Sequence, residues 1–186
     1  PDWIVVPAGN LGNTAAFGKA LTEAREWGLV RKVPRIASIQ AAGANPFERS
    51  FRTGFRRRFT VKAETVATAI RIGDPASYDR GVRAIRETRG IVAAVSDREI
   101  LEAKAVVDAS GIGCEPASAA SVAGARLLVR QGVIRKGDSV VAVLTGHVLK
   151  DAQTTMDYHR GGNRRSNPPV EIEAKVSAVE RFLKKR

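Results

Sequence analysis

The chain has one cysteine, Cys114, one methionine, Met156, and two histidines, His147 and His159, among 186 residues. A single cysteine excludes an internal disulfide, and it excludes zinc sites that need several thiolates. Neither histidine stands at a ligand spacing from the other or from Cys114, so no metal site is expected. No apolar run is long enough to cross a bilayer. A basic-then-apolar leader with a small-residue cleavage site is also missing. A cytoplasmic protein with no membrane contact is the expectation. An initiator is missing too: the sequence opens at Pro1 and enters the apolar run Trp3, Ile4, Val5, Val6 almost at once. Domains seldom begin on a core strand, so the sequence reads as a piece of something longer.

What is present suits one well-cored domain. The apolar fraction is 44% and the formal charge is +12, which argues against disorder and raises the question of an acidic partner. Much of the positive excess lies in residues 49–58, 160–165 and 181–186. Charge collected in loops and at an end is read first as solvated surface. The stretch RSFRTGFRRRF (residues 49–59) interleaves arginines with Phe51, Phe55 and Phe59. RNA-binding segments stack bases on such aromatics, so a basic nucleic-acid-binding module is the rival class, and salt-dependent RNA binding through Arg56, Arg57 and Arg58 is its test.

Short β-rich runs alternate with longer helical stretches, the pattern of an α/β domain with a parallel sheet. Strands are expected at residues 4–6, 36–41, 91–95 and 139–144. Helices are expected at 14–27, 77–88, 97–109, 116–130 and 173–184. Ser96 and Glu99 fit a capping box. Residues 41–46 read as loop, 49–62 as irregular, and 66–72 as extended or a short helix.

The first strand leads into Pro7-Ala8-Gly9-Asn10-Leu11-Gly12-Asn13 and then a helix. Gly9 and Gly12 permit backbone angles that let successive N–H groups face one hollow. The free amides and dipole of the following helix favour an anion there, and phosphate is the natural guest. Asn13 or Thr14 could cap that helix with or without a ligand. A dinucleotide fingerprint needs Gly-x-Gly-x-x-Gly with an acid about twenty residues on. Gly9 and Gly12 stand three apart, and Glu26 lies in a helix, so a nicotinamide site fits poorly.

The loop Gly-Asn-x-Gly-Asn resembles the phosphate loop of threonine synthases, pyridoxal-phosphate enzymes of fold type II. AGANP (42–46), ATAIRIGDPAS (67–77), GCEPASAA (113–120) and VLTGHVLKD (143–151) match segments of that family in the same order. The resemblance implies a three-layer αβα fold with a mostly parallel sheet, part of the tryptophan-synthase-β-like architecture. It implies pyridoxal 5'-phosphate as cofactor, with Gly9, Asn10, Leu11, Gly12 and Asn13 around its phosphate and Thr145 on its ring nitrogen. A hydroxyl partner leaves that nitrogen largely unprotonated, a weaker electron sink than an aspartate partner would give.

The family converts O-phosphohomoserine and water into threonine and phosphate. Its Schiff-base lysine precedes the phosphate loop, and neither Lys19 nor Lys150 sits in a matching motif. No catalytic base is therefore assigned in this chain, which is expected to be inactive without the N-terminal part of the same enzyme; a homodimer is left open. Another type II lyase, such as a serine/threonine dehydratase, is the alternative within the fold. Residues 1–151 are read as the cofactor-binding unit and 152–186 as a tail ending in a helix. Val148 stands where the family has glycine, and strain is expected if that position needs a positive φ. Glu115 is the one acid near the presumed site: a carboxylate close to the ring could tune or order it, but Glu115 is read first as capping or stabilising the helix at Pro116. Ser118 is read as a packing residue, Cys114 as a buried apolar one, and His147 as structural. Lone exposed sheet edges and apolar surface are expected to make the isolated chain aggregate or depend on a partner.

Overall fold

The computed structural model describes residues 1–184; Lys185 and Arg186 of the basic C-terminal segment lie outside the described residues. Four strands, β1 (Trp3–Pro7), β2 (Arg35–Ala41), β3 (Ile91–Val95) and β4 (Val140–Ala142), form one sheet in the order β3-β2-β1-β4. Every pairing is parallel, with Val5 opposite Ala37 on one side and Ala142 on the other. The period-2 alternation of each strand divides two cores. Trp3, Val5, Ala37, Ile39 and Val95 pack under α4 (Asp97–Ala109) and α5 (Pro116–Arg130). Val6, Ile36 and Val92 pack under α1 (Gly12–Glu26), α2 (Pro46–Arg52) and α3 (Tyr78–Glu87). The result is the expected three-layer αβα arrangement.

This order has a consequence for function. The chain runs from β1 outward through β2 to β3, then returns to place β4 on the other side of β1. Helices between β1 and β3 lie on one face and those between β3 and β4 on the other. A crevice therefore opens between the carboxyl ends of β1 and β4, the place where open α/β sheets bind ligands.

Several local expectations hold residue for residue. β3 and α5 have the predicted bounds, and Ser96 and Glu99 form the capping box that starts α4. β4 is shorter than its apolar run suggests. Residues 66–72 hold a 3-10 turn, Thr68–Ile70. Two helices go beyond the expectation. α2 starts with Pro46 at its first turn, and the buried Gln40 takes the place of a cap, its Oε1 accepting from the amides of Phe47 (2.9 Å) and Glu48 (3.0 Å). The other is α6 (Ala152–Arg160); like the terminal α7 (Val176–Leu183), it buries none of its residues. No helix among the described residues is long and apolar enough to cross a membrane.

The second core contains one unpaired polar atom. Tyr78 packs edge-on against Phe47, with centroids 5.7 Å apart, and its buried hydroxyl has no hydrogen-bond partner among the described residues. Since a buried hydroxyl without a partner costs free energy, Tyr78→Phe is expected to leave stability unchanged or raise it by about 1 kcal/mol. Urea denaturation of the two proteins checks this; a clear loss of stability would mean that the hydroxyl is satisfied.

Candidate functional site

The loop after β1 starts α1 in an unusual way. Leu11 holds the N-cap position in the left-handed region (φ 65°, ψ 13°), with no side-chain cap, and the helix begins at Gly12. Neither Asn13 nor Thr14 caps it, contrary to the expectation from sequence. The Thr14 hydroxyl instead pairs with Ser38 of β2 at 2.9 Å. A left-handed leucine costs roughly 1–2 kcal/mol, and the side chain offsets this by being almost wholly buried between α1 and α3. The anchor fixes the loop from below. From the side, Asn10 accepts the Ser77 amide on its carbonyl (3.0 Å) and the Ala76 amide on Oδ1 (3.3 Å).

A backbone held in this way leaves its donors free. Among the described residues, the amides of Gly9, Asn10, Leu11, Gly12, Asn13 and Thr14 donate to no protein acceptor. Six free N–H groups at a helix N-terminus form an anion cradle. The 3-10 turn closes over it: a Cβ at Gly9 would lie 3.0 Å from the Ala69 carbonyl oxygen and 3.1 Å from Ile70 Cα, whereas Gly12 faces open space.

The loop after β4 forms the opposite wall. One cavity of about 320 Å³ has Gly9, Asn10, Leu11, Gly12, Asn13 and Thr145 in its lining, together with the charged residues Glu115 and Lys150. All six sequence-predicted cofactor residues thus share one crevice at the switch point. The residues present fit a phosphate ester attached to a flat polar ring: free amides at one end, a hydroxyl at the other. A larger groove of about 460 Å³ between α1 and α3 is floored by Ala15, Ala16 and Ala84 and rimmed by the closed pairs Lys19–Glu23 and Arg83–Glu87, with no comparable set of free donors.

Sequence reasoning missed how Thr145 is held. Ser118, fully buried on α5, accepts the amides of Thr145 (2.9 Å) and Gly146 (2.8 Å) on Oγ, which also lies 3.1 Å from Thr145 Oγ1. Glu115 occupies the N-cap position of α5, but its side chain makes no cap hydrogen bond, so the capping expected of it is not seen. Its side chain, 3% exposed, reaches forward so that Oε1 lies 3.5 Å from Thr145 Oγ1 and Oε2 lies 3.6 Å from Lys150 Nζ. The available signal was spacing, because residues three apart on a helix share a face.

The remaining residues are structural. Cys114 is buried, and desolvation pushes its thiol up to about 11, so it is no nucleophile near neutrality. His147 Nδ1 accepts the Leu149 amide at 3.2 Å. Val148 is not among the positive-φ residues, which are Leu11, Phe55, Arg89 and Asp151 outside glycine. The anticipated strain is absent; Val148 packs beside Gly113, which takes the left-handed φ of 66°. In the basic stretch, Phe51 and Phe55 pack on each other and against the second core, and Arg58 lies over Tyr78 while paired with Asp74 at 2.5 Å. Two of the three aromatics of this stretch are thus engaged with the second core, while Phe59 carries Arg57 over its ring at 4.7 Å.

Comparison with known proteins agrees with this geometry. The model of the pyridoxal-phosphate-dependent enzyme family matches residues 1–146, and the chain belongs to that family. Its similarity runs to threonine synthases: it is 40% identical over 191 residues to threonine synthase 2, chloroplastic, of Arabidopsis thaliana, covering 99% of this chain and 37% of that protein. It is 42% identical over 185 residues to threonine synthase of Methanosarcina acetivorans, covering 98% and 44%. The chain therefore spans about two-fifths of the length of these relatives. Among solved structures, threonine synthase from Escherichia coli superposes with a TM-score of 0.65 at 18% identity, over 98% of this chain and 43% of that one. The processed form of threonine deaminase isoform 2 from Solanum lycopersicum superposes at 0.65 and 18% identity, over 84% and 44%. These likenesses establish the type II fold expected from the sequence.

Proposed function

We propose that this chain is the cofactor-holding part of a cytoplasmic threonine synthase, serving conversion of O-phosphohomoserine and water to L-threonine and phosphate. The observation that carries the reading is the single crevice in which six unclaimed amides and the Thr145 hydroxyl face the same space. Pyridoxal phosphate bound there supplies the electron sink that the reaction needs. The amides of Gly9, Asn10, Leu11, Gly12 and Asn13 hold the phosphate, and buried Leu11 with stapled Asn10 keeps their directions fixed. Thr145 meets the ring nitrogen, with its backbone fixed by Ser118.

No lysine of this chain is assigned to the proton transfers. We assign that base, and the main contacts to O-phosphohomoserine, to an N-terminal part of the same enzyme. Residues 1–151 hold the cofactor, and residues 152–186 form a tail, which agrees with the absence of buried side chains in α6 and α7.

The full-length protein is expected to release phosphate from O-phosphohomoserine, measured colorimetrically, and this chain by itself is expected to release none. Ammonia release from threonine without phosphate release would instead make the protein a dehydratase of the same fold.

A further inference from the structure

Glu115 is costly where it stands. A buried carboxylate needs charged or hydrogen-bonding partners, and its nearest are Thr145 Oγ1 at 3.5 Å and Lys150 Nζ at 3.6 Å. It gives up capping α5 to reach that position. The fold makes room for it: a Cβ on Gly146 would collide with Glu115 Oε1, and the Glu115 amide donates to the Gly146 carbonyl at 3.0 Å. Carboxylate, threonine and glycine are thus built as one unit, and both Glu115 and Thr145 line the cavity.

Hydrogen-bond accounting says what the unit does. A serine hydroxyl has two acceptor sites and one proton. The amides of Thr145 and Gly146 fill the acceptor sites of Ser118, so its proton goes to Thr145 Oγ1, 3.1 Å away. Thr145 is then left with one proton and one lone pair. If the proton turns to Glu115, the lone pair faces the cavity and favours a protonated guest nitrogen. If the proton turns to the guest, the nitrogen stays neutral.

We propose that Glu115 is a positioning residue that sets the basicity of the cofactor's ring nitrogen through Thr145, with Lys150 opposing it. The assignment rests on the proposed contact between Thr145 and that nitrogen. Glu115 raises the nitrogen's proton affinity in two ways: it draws the Thr145 proton toward itself, and its negative charge favours the pyridinium. Lys150 lowers the affinity by partly neutralising the carboxylate. The other charged groups nearby are engaged elsewhere. Asp151 Oδ2 accepts from Thr68 Oγ1 at 2.6 Å, Lys104 pairs with Asp108 at 2.6 Å behind Cys114, and His147 Nδ1 accepts the Leu149 amide.

The test is ¹⁵N NMR titration of pyridoxal phosphate labelled at its ring nitrogen and bound to the full-length protein, with thermal melts to verify folding. Glu115→Gln is expected to lower the nitrogen's proton affinity about tenfold, the effect of losing one nearby charge. Glu115→Asp, which keeps the charge, should restore most of it, and Lys150→Met should shift it the opposite way. A merely structural role for Glu115 would not produce opposite signs at the two residues. If Thr145→Val moves the resonance while Glu115→Gln and Lys150→Met leave the titration unchanged, the assignment is overturned and the contact stands. If Thr145→Val does not move the resonance, the contact itself is wrong and the proposal goes with it.

Discussion

Gly12→Asp is expected to stabilise the protein without cofactor while weakening pyridoxal phosphate binding on the order of 100-fold or more. Gly12 is the first residue of α1, its φ is not positive, and a Cβ there meets nothing within 4 Å. Replacing glycine in a helix removes an entropic cost, and an acid in the first turn complements the helix dipole. α1 has no acidic residue in that turn. These gains come to about 0.5–1 kcal/mol. The same carboxylate would stand where the phosphate is held. Two unit charges 4 Å apart repel by about 4 kcal/mol at an effective dielectric of 20, and the side chain could also take up the free amides. Thermal melts without cofactor and fluorescence titration with it measure the two effects separately. An unchanged affinity would show that the phosphate lies elsewhere.

Asp108→Ala is expected to cost about 3–5 kcal/mol, the largest loss foreseen from any single change considered. Lys104 is 2% exposed, and its Nζ lies 2.6 Å from Asp108 Oδ2, while Oδ1 accepts the Cys114 amide at 3.2 Å. Truncating the acid leaves an ammonium in the α4–α5 core with no counter-charge and frees the turn that leads into Glu115. Replacing a whole buried pair with apolar groups is far milder than removing one partner. Lys104→Met combined with Asp108→Ala should therefore recover much of the stability lost in Asp108→Ala. Urea midpoints for the three variants provide the comparison; a double variant as unstable as Asp108→Ala would show that the turn's tether matters more than the stranded charge.

The parts of the fold that were legible in the sequence are those whose signals are local. β3 and α5 are apolar runs closed by strong stops, and Ser96 with Glu99 states a helix start outright. α2 was missed because its basic and aromatic residues lack a clear period, and because its first amides are satisfied by Gln40 from a neighbouring strand. Tertiary partners of that kind leave no mark nearby in the chain. The same reason explains the cap of α1: Asn13 and Thr14 have suitable side chains, but Ser38 and the buried Leu11 side chain settle the geometry. At the site, the loop and Thr145 were readable through their resemblance to a known pattern. Ser118 looked like an ordinary helix residue, and Glu115 was read first as a helix-end residue with a place beside the ring as the alternative, because the contacts of both arise only when β4 brings Thr145 over α5.

The position of β4 carries one more consequence. It is three residues long and, among the described residues, joins the sheet through β1 alone, with Trp3 opposite Val140. The two walls of the crevice therefore come from segments far apart in the chain, one following β1 and the other following β4. A guest that touches both walls acts as a rivet across this seam: its binding energy adds to the shortest pairing in the sheet, so occupancy of the crevice stabilises the folded state.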